Sequence, residues 1–323
     1  MKINFLKKHV MWMALGCGLL LTNISFAAET EVAEVAGNTE SLIMSEWIEP
    51  GPSLEDNEVT ALGRVGQGPI LDRLNRLDQA IFGANRTGTV NDRVIKQAER
   101  LRGGTIDSPS IMARVNATEW SLDKKVSIAP LAERLNELES RLTGTVIHTS
   151  LEDRSTKMAA QVLEAENAIS VTVPNETLVR VKFIEPLNSR NAQVGDTAKL
   201  QVEEDVFQDG YLVFPKGAVG QASVKTVKPA KRFARDGKMT ISFDYIEAID
   251  GRRIHVIQGN RSERETATFA KAAGASIAGA IILGPIGLVG GAFLKGENVD
   301  IKEGSQLYIE TDRENDILSI QIQ

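Results

Sequence analysis

The sequence predicts an α+β protein in which N-terminal helical repeats precede an antiparallel β-barrel or sandwich that carries an inserted small-residue helical hairpin. Three observations predict it. They are a gapless internal repeat at an offset of 61 residues, a switch to alternating strand patterns after about residue 176, and an uncharged run from Ala272 to Leu294 inside the strand region. The 323 residues are 42% hydrophobic and 25% charged, apolar enough for real cores. An aromatic content of 5% argues against an aromatic platform for sugars, and the formal charge of −6 removes the long-range attraction on which general nucleic-acid binding relies. Nucleic acid is therefore not expected as a partner.

Residues 1–27 read as a signal peptide: Lys2, Lys7 and Lys8 precede an uncharged stretch, and Ser25 and Ala27 offer a small-residue cleavage site. Cys17 lies within the stretch. Leu19 to Leu21 continue the apolar run where a lipoprotein carries a polar tether, so Cys17 is assigned to the signal. Cleavage after Ala27 removes three lysines and no acid, moving the charge from −6 to −9 and leaving no cysteine for disulfides or thiolate metal sites. Residues 28–68 carry nine acids against Arg64 alone, with Pro50 and Pro52, and are expected to be a flexible acidic spacer.

Residues 69–168 form the helical repeat region, with two units offset by 61. The offset superposes Pro69 on Pro130, Arg73 on Arg134, Leu74 on Leu135, Asn75 on Asn136, Leu77 on Leu138, Gly83 on Gly144, and Asp92-Arg93 on Asp153-Arg154. Leu74, Leu77 and Ile81, matched by Leu135, Leu138 and Leu142, have the three-and-four spacing of one helix face, with Pro at the entrance and Gly past the exit. A weaker echo 20 residues later predicts a helical pair in each unit.

Residues 176–323 alternate as strands, for example Leu178 to Ile184 and Met239 to Ile246, with turn signals at Gly195, Gly210, Gly217 and Gly251. The insertion, residues 268–295, is dense in Gly274, Ala278, Gly279, Gly284, Pro285, Gly287, Gly290 and Gly291. Its uncharged run is long enough to span a bilayer once, and its small-xxx-small spacings suit close helix packing. Gly284-Pro285 divides it, so a helical hairpin is expected as readily as a single kinked span. Lys228, Lys231, Arg232, Arg235 and Lys238 make a basic loop that reverses the local sign of an acidic chain, a candidate site for an anionic glycan or lipid headgroup.

The motifs VxxDVxxDGYLVFPKG (Val202 to Gly217), GKMTISFDYIxxIDG (Gly237 to Gly251) and IKEGSQLYI (Ile301 to Ile309), with a small-residue insertion between the last two, resemble the outer-membrane channel subunit of type IV secretion and conjugation systems, the TrbI-like family. The resemblance covers under half of the chain. It implies a modified β-barrel with an inserted helical hairpin, and copies arranged as a ring around an outer-membrane pore.

No catalytic motif is present. His148 and His255 have no neighbouring catalytic residue in sequence, and Glu203-Glu204-Asp205 has the form of a solvated cluster rather than an acid–base pair. The expectation is a non-enzymatic envelope scaffold without a cofactor or metal. It would be exported to the periplasm or outer membrane of a diderm bacterium, associating with itself, the outer membrane or peptidoglycan-associated components. A soluble periplasmic module that binds an anionic ligand through the basic loop is the alternative.

Overall fold

The computed structural model describes residues 51–163, 168–230, 237–272 and 298–320, and the backbone at 283–284 and 288–289. The expected signal peptide lies outside the described residues. Six helices come first: α1 (Leu54–Leu62), α2 (Ile70–Phe82), α3 (Val90–Leu101), α4 (Ile111–Asp123), α5 (Leu131–Thr143) and α6 (Leu151–Val162). The 61-residue repeat is thus three helices against three, not a pair against a pair. Ser53, Thr89, Ser110 and Ser150 cap α1, α3, α4 and α6 by accepting a backbone N–H of the first turn, and Pro69 and Pro130 open α2 and α5. The first unit begins at α1, inside the segment expected to be a flexible spacer. There Leu54, Asn57, Glu58 and Ala61 are buried, and the helix ends on Gly63 in the left-handed region, as its repeat mate α4 ends on Lys124. Acidic composition concealed this helix because several of its acids are paired rather than solvated.

Leu74, Leu77, Ile81, Leu135 and Leu138 are fully or almost fully buried in one cluster with Leu101, Ile111, Leu131 and Met158. Leu142 departs from the expected face: it is 39% exposed near the end of α5, and Leu131 supplies the buried position instead.

β1 (Gly104–Thr105) and β2 (Ser108–Pro109) form a small hairpin between α3 and α4. The strand region runs β3 (Ala168–Val173), β4 (Leu178–Phe183), β5 (Leu187–Asn188), β6 (Thr197–Val202), β7 (Val206–Gln208), β8 (Tyr211–Phe214), β9 (Val219–Lys228), β10 (Lys238–Glu247) and β11 (Arg253–Ile257). Helix α7 (Asn260–Ala272) follows, then β12 (Leu283–Gly284), β13 (Leu288–Val289), β14 (Asp300–Ile301), β15 (Gln306–Thr311) and β16 (Asn315–Ile320). The strands β4, β6, β9, β10, β11 and β15 pair antiparallel in that order, and β15 returns to β4, closing a six-stranded barrel. β16 pairs with β3 outside it. The protein is therefore α+β with a β-barrel.

The insertion departs from a purely helical hairpin. α7 begins eight residues ahead of the expected boundary at 268, and Leu283–Gly284 and Leu288–Val289 pair as strands, with Leu288 opposite Thr240 of β10. A residue before proline is biased to extended backbone, which accounts for Gly284. Gly274, Ala278, Gly279, Pro285, Gly287, Gly290 and Gly291 lie outside the described residues, as do Lys231, Arg232 and Arg235.

The helices and the barrel belong to one compact unit. Trp120 and Val126 enter the barrel's hydrophobic cluster, and the Val126 N–H donates to Lys216 O at 2.8 Å. Gly217 holds φ +93°, and a Cβ there would collide with the Val126 backbone. Gly217→Ala is expected to cost about 2 kcal/mol or more, through left-handed strain plus displacement of the helical layer. Chemical denaturation together with faster hydrogen exchange at Val126 checks it.

Candidate functional site

Barrel polarity limits what the site can be. Inward positions carry Val179, Val181, Phe183, Leu200, Val202, Ile241, Phe243, Val256, Leu307 and Ile309, all at most 3% exposed. The outward positions that alternate with them include Arg180, Lys182, Lys199, Gln201, His255 and Tyr308. A six-stranded barrel is narrower than the eight-stranded ones whose interiors side chains just fill, so this interior is a packed core rather than a lumen. Its polar exterior is the reverse of a membrane-spanning barrel. Among the described residues no helix is long and apolar enough to cross a membrane.

The helical layer is held by one device used four times. An acid on one helix accepts the Nε and Nη2 groups of an arginine 15 residues later, and also a backbone N–H 8 residues later. The pairs are Glu58–Arg73, Asp78–Arg93, Glu119–Arg134 and Glu139–Arg154, each with a closest contact of 2.7 or 2.8 Å. The same arginines reach an acceptor 18 residues back: Glu55, Asn75, Asn116 and Asn136 respectively. Burial alone would raise the carboxyl pKa of Glu58, but the hydrogen bonds from Arg73 and the Gly66 N–H outweigh it and hold the group low. The polar residues that recur at the 61-residue offset, Arg73 with Arg134, Asn75 with Asn136 and Arg93 with Arg154, are parts of this device, which explains why they recur.

A second polar cluster joins the helices to the barrel. Asp56 of α1 bridges Arg102 and Arg253, both at 2.7 Å, and Glu247 lies 3.5 Å from Arg102. Burial pushes Asp56 up, while the two guanidiniums pull it further down, to a net value below the ordinary range. Tyr245, beside Arg253, is raised by burial to about 12. The β10–β11 turn enters the same joint: Asn116 Nδ2 donates to Ile249 O at 2.8 Å, and Ser110 Oγ and the Gly103 N–H donate to Asp250 O. Asp56, Arg102, Glu247 and Arg253 are not marked by any sequence motif, because their contacts span 46 to 197 residues of chain; Asp250 falls within the motif ending at Gly251, where it reads only as a turn signal.

Lys228 and Lys238 are opposite each other at the open end of the β9–β10 ladder, both exposed, and Thr240 pairs with Leu288 two residues further in. Lys228, Lys238 and Leu288 therefore share one end of β10.

The expected solvated acids are distributed among partners: Glu203 pairs with Lys182 at 2.7 Å, Glu204 with Arg180 at 3.0 Å, and Asp205 accepts the Lys216 N–H. His148 is exposed. His255 has a partner that the sequence did not indicate, Asp312, with Nδ1 2.7 Å from the carboxylate. Burial raises Asp312, but hydrogen bonds from Arg313 and His255 leave it lowered. This pair ties β11 to the β15–β16 turn. Among the described residues, no group of three metal-ligating side chains converges.

No family model matches the chain, and no curated protein matches it. Among solved structures it is similar to ComB10 of the Com type IV secretion system of Helicobacter pylori, at 15% identity with a TM-score of 0.24, over 44% of this chain and 88% of that chain.

Proposed function

We propose that the chain is an exported, non-enzymatic structural protein of a diderm bacterial envelope, whose rigid helix–barrel body presents residues 268–295 for self-association in the outer membrane. The observation that supports this reading is the shared end of β10, where Thr240 pairs with Leu288 two residues from the basic strand ends at Lys228 and Lys238. Cations beside an apolar, glycine-rich segment suit an interface with anionic headgroups, and small residues suit close packing of copies once there. The polar exterior leaves the insertion as the part that would enter lipid.

Fractionation of cells expressing the full chain, with high-salt and carbonate washes, tests this. The protein is expected to stay with the membranes and to be released when 272–294 is deleted, or when Gly279 and Gly287 become leucine, with the barrel's thermal transition unchanged. Release of the unaltered chain by the washes overturns it.

A further inference from the structure

A groove of about 720 Å³ lies where the α2–α3 corner and the β1–β2 hairpin meet the β10–β11 turn. Its lining carries Arg86, Lys96, Arg100, Arg102 and Arg252 against the single acid Glu99, a local reversal of sign in a chain of formal charge −6. We propose that this groove holds an anionic glycan by its carboxylates, at a site separate from the β9–β10 arm.

Three of the cations are fixed from behind. Arg100 donates to Ser108 Oγ at 2.9 Å and Pro109 O at 3.0 Å and pairs with Glu152 at 3.2 Å; Arg102 is held by Asp56; Arg252 donates to Asp316 O at 2.6 Å. Such anchoring leaves a guanidinium little freedom to lose on binding; Arg102 spends both terminal nitrogens on Asp56, Thr60 and Glu247 and contributes only its charge, while the planar fork of Arg86 matches a carboxylate. The other two are held less tightly, Lys96 having only the charge of Asp92 one helical turn away. Arg86 lies over the Phe82 ring at 4.2 Å, and among the described residues neither it nor Lys96 forms an ion pair within 4 Å.

The chain contains its own comparison for this groove. At the 61-residue offset the helix-holding arginines recur, but Arg86, Arg100 and Arg102 become Ile147, Gln161 and Leu163, and only Lys96 keeps its charge, as Lys157. The three-helix architecture therefore does not require these cations. Arg102 serves the joint to the barrel, whereas Arg86 has no such duty. The chain's overall negative charge disfavours densely charged polyanions, and a concave groove does not fit the flat surface of a bilayer. A glycan with sparse carboxylates avoids both difficulties, and Thr87 and Thr105 offer hydroxyls to its sugar rings.

Calorimetric titration with tetragalacturonate at low salt tests the proposal, with its methyl ester and phosphatidylglycerol vesicles as the other arms. The acid form is expected to bind, the ester not. Arg86→Ala with Lys96→Ala is expected to weaken binding about tenfold or more, with an unchanged melting transition, while Lys228→Ala with Lys238→Ala leaves it intact. Equal binding by the groove variant, equal binding of the ester, loss in the arm variant alone, or binding to the vesicles only would each overturn it. None of these outcomes depends on whether residues 268–295 enter lipid.

Discussion

Replacing Arg134 with alanine is expected to cost about 3–5 kcal/mol, a large share of the stability of a domain of this size. Arg134 is 3% exposed and donates Nε to Glu119 Oε1 at 2.8 Å and Nη2 to Glu119 Oε2 at 2.7 Å, with Asn116 Oδ1 and Met112 Sδ as further acceptors. Its removal strands the Glu119 carboxylate, 6% exposed, with only the Ser127 N–H at 2.8 Å to satisfy it. The loss therefore comes mainly from an uncompensated buried charge rather than from the attraction itself. Arg134→Lys is expected to recover little, because one ammonium cannot reproduce the fork that meets both carboxylate oxygens and Asn116. Glu119→Leu combined with Arg134→Leu should be milder than either single change, since no charge is left behind. Urea denaturation of the four variants checks the ordering. Leu142→Ala, at an exposed position of the following turn, should move stability by less than about 0.5 kcal/mol. Equal losses at Arg134 and Leu142 would refute the assignment of the device.

The repeat was legible because its parts are local. Asn75, Asp78 and Arg93 fall within 18 residues of one another, and the helix that carries two of them also carries Leu74, Leu77 and Ile81 at helical spacing. α1 was not legible for the complementary reason. Its acids Glu55, Asp56 and Glu58 have the composition of a solvated tail, and only their partners Arg73, Arg102 and Arg253 show that they are bound. The clearer signals in hindsight were Glu58 and Glu119 at the same 61-residue offset, and Gly63, which falls at the helix end where Lys124 stands in the second unit. Strand alternation predicted a β-barrel or sandwich closing around the insertion, but not which strands close it: the β11–β15 ladder joins segments separated by α7 and the insertion, and β15 pairs with the distant β4. The basic loop and the insertion were both visible as sequences, while the pairing of Leu288 with Thr240, two residues from Lys238, is a property of register.

Between about pH 4 and pH 8 the joint between helices and barrel is expected to lose about 3 kcal/mol through a single side chain, Asp250. Burial raises its carboxyl from 3.8 to about 6, against the opposing hydrogen bonds from the Leu318 N–H at 2.9 Å and the Arg252 N–H at 3.0 Å. A carboxyl whose folded pKa exceeds its unfolded one stabilises the fold fully below the unfolded value and loses that contribution as pH rises through the folded value. A gap of roughly two units corresponds to about 3 kcal/mol. Asp56, Glu58, Asp123 and Asp312 have the opposite sign, since each is lowered. Their contributions are present above the ordinary carboxyl range and are lost only as pH falls beneath it, so they act on the acid side of the Asp250 window. Subtracting a non-titrating variant isolates the term. The stability of the protein relative to Asp250→Asn should fall by about 3 kcal/mol from pH 4 to pH 8, read by urea denaturation across that range, and a flat difference would sink the assignment. An asparagine at this position would avoid the cost of a buried charge but could accept only one of the two N–H groups on its side-chain oxygen. Both groups need an acceptor because Leu318 belongs to the strand β16, which packs on α4, while the Asp250 carbonyl already receives Gly103 and Ser110 from the helical side. Asp250 therefore holds three elements in one register, and its cost at neutral pH is tolerated because no neutral side chain of its size makes both bonds.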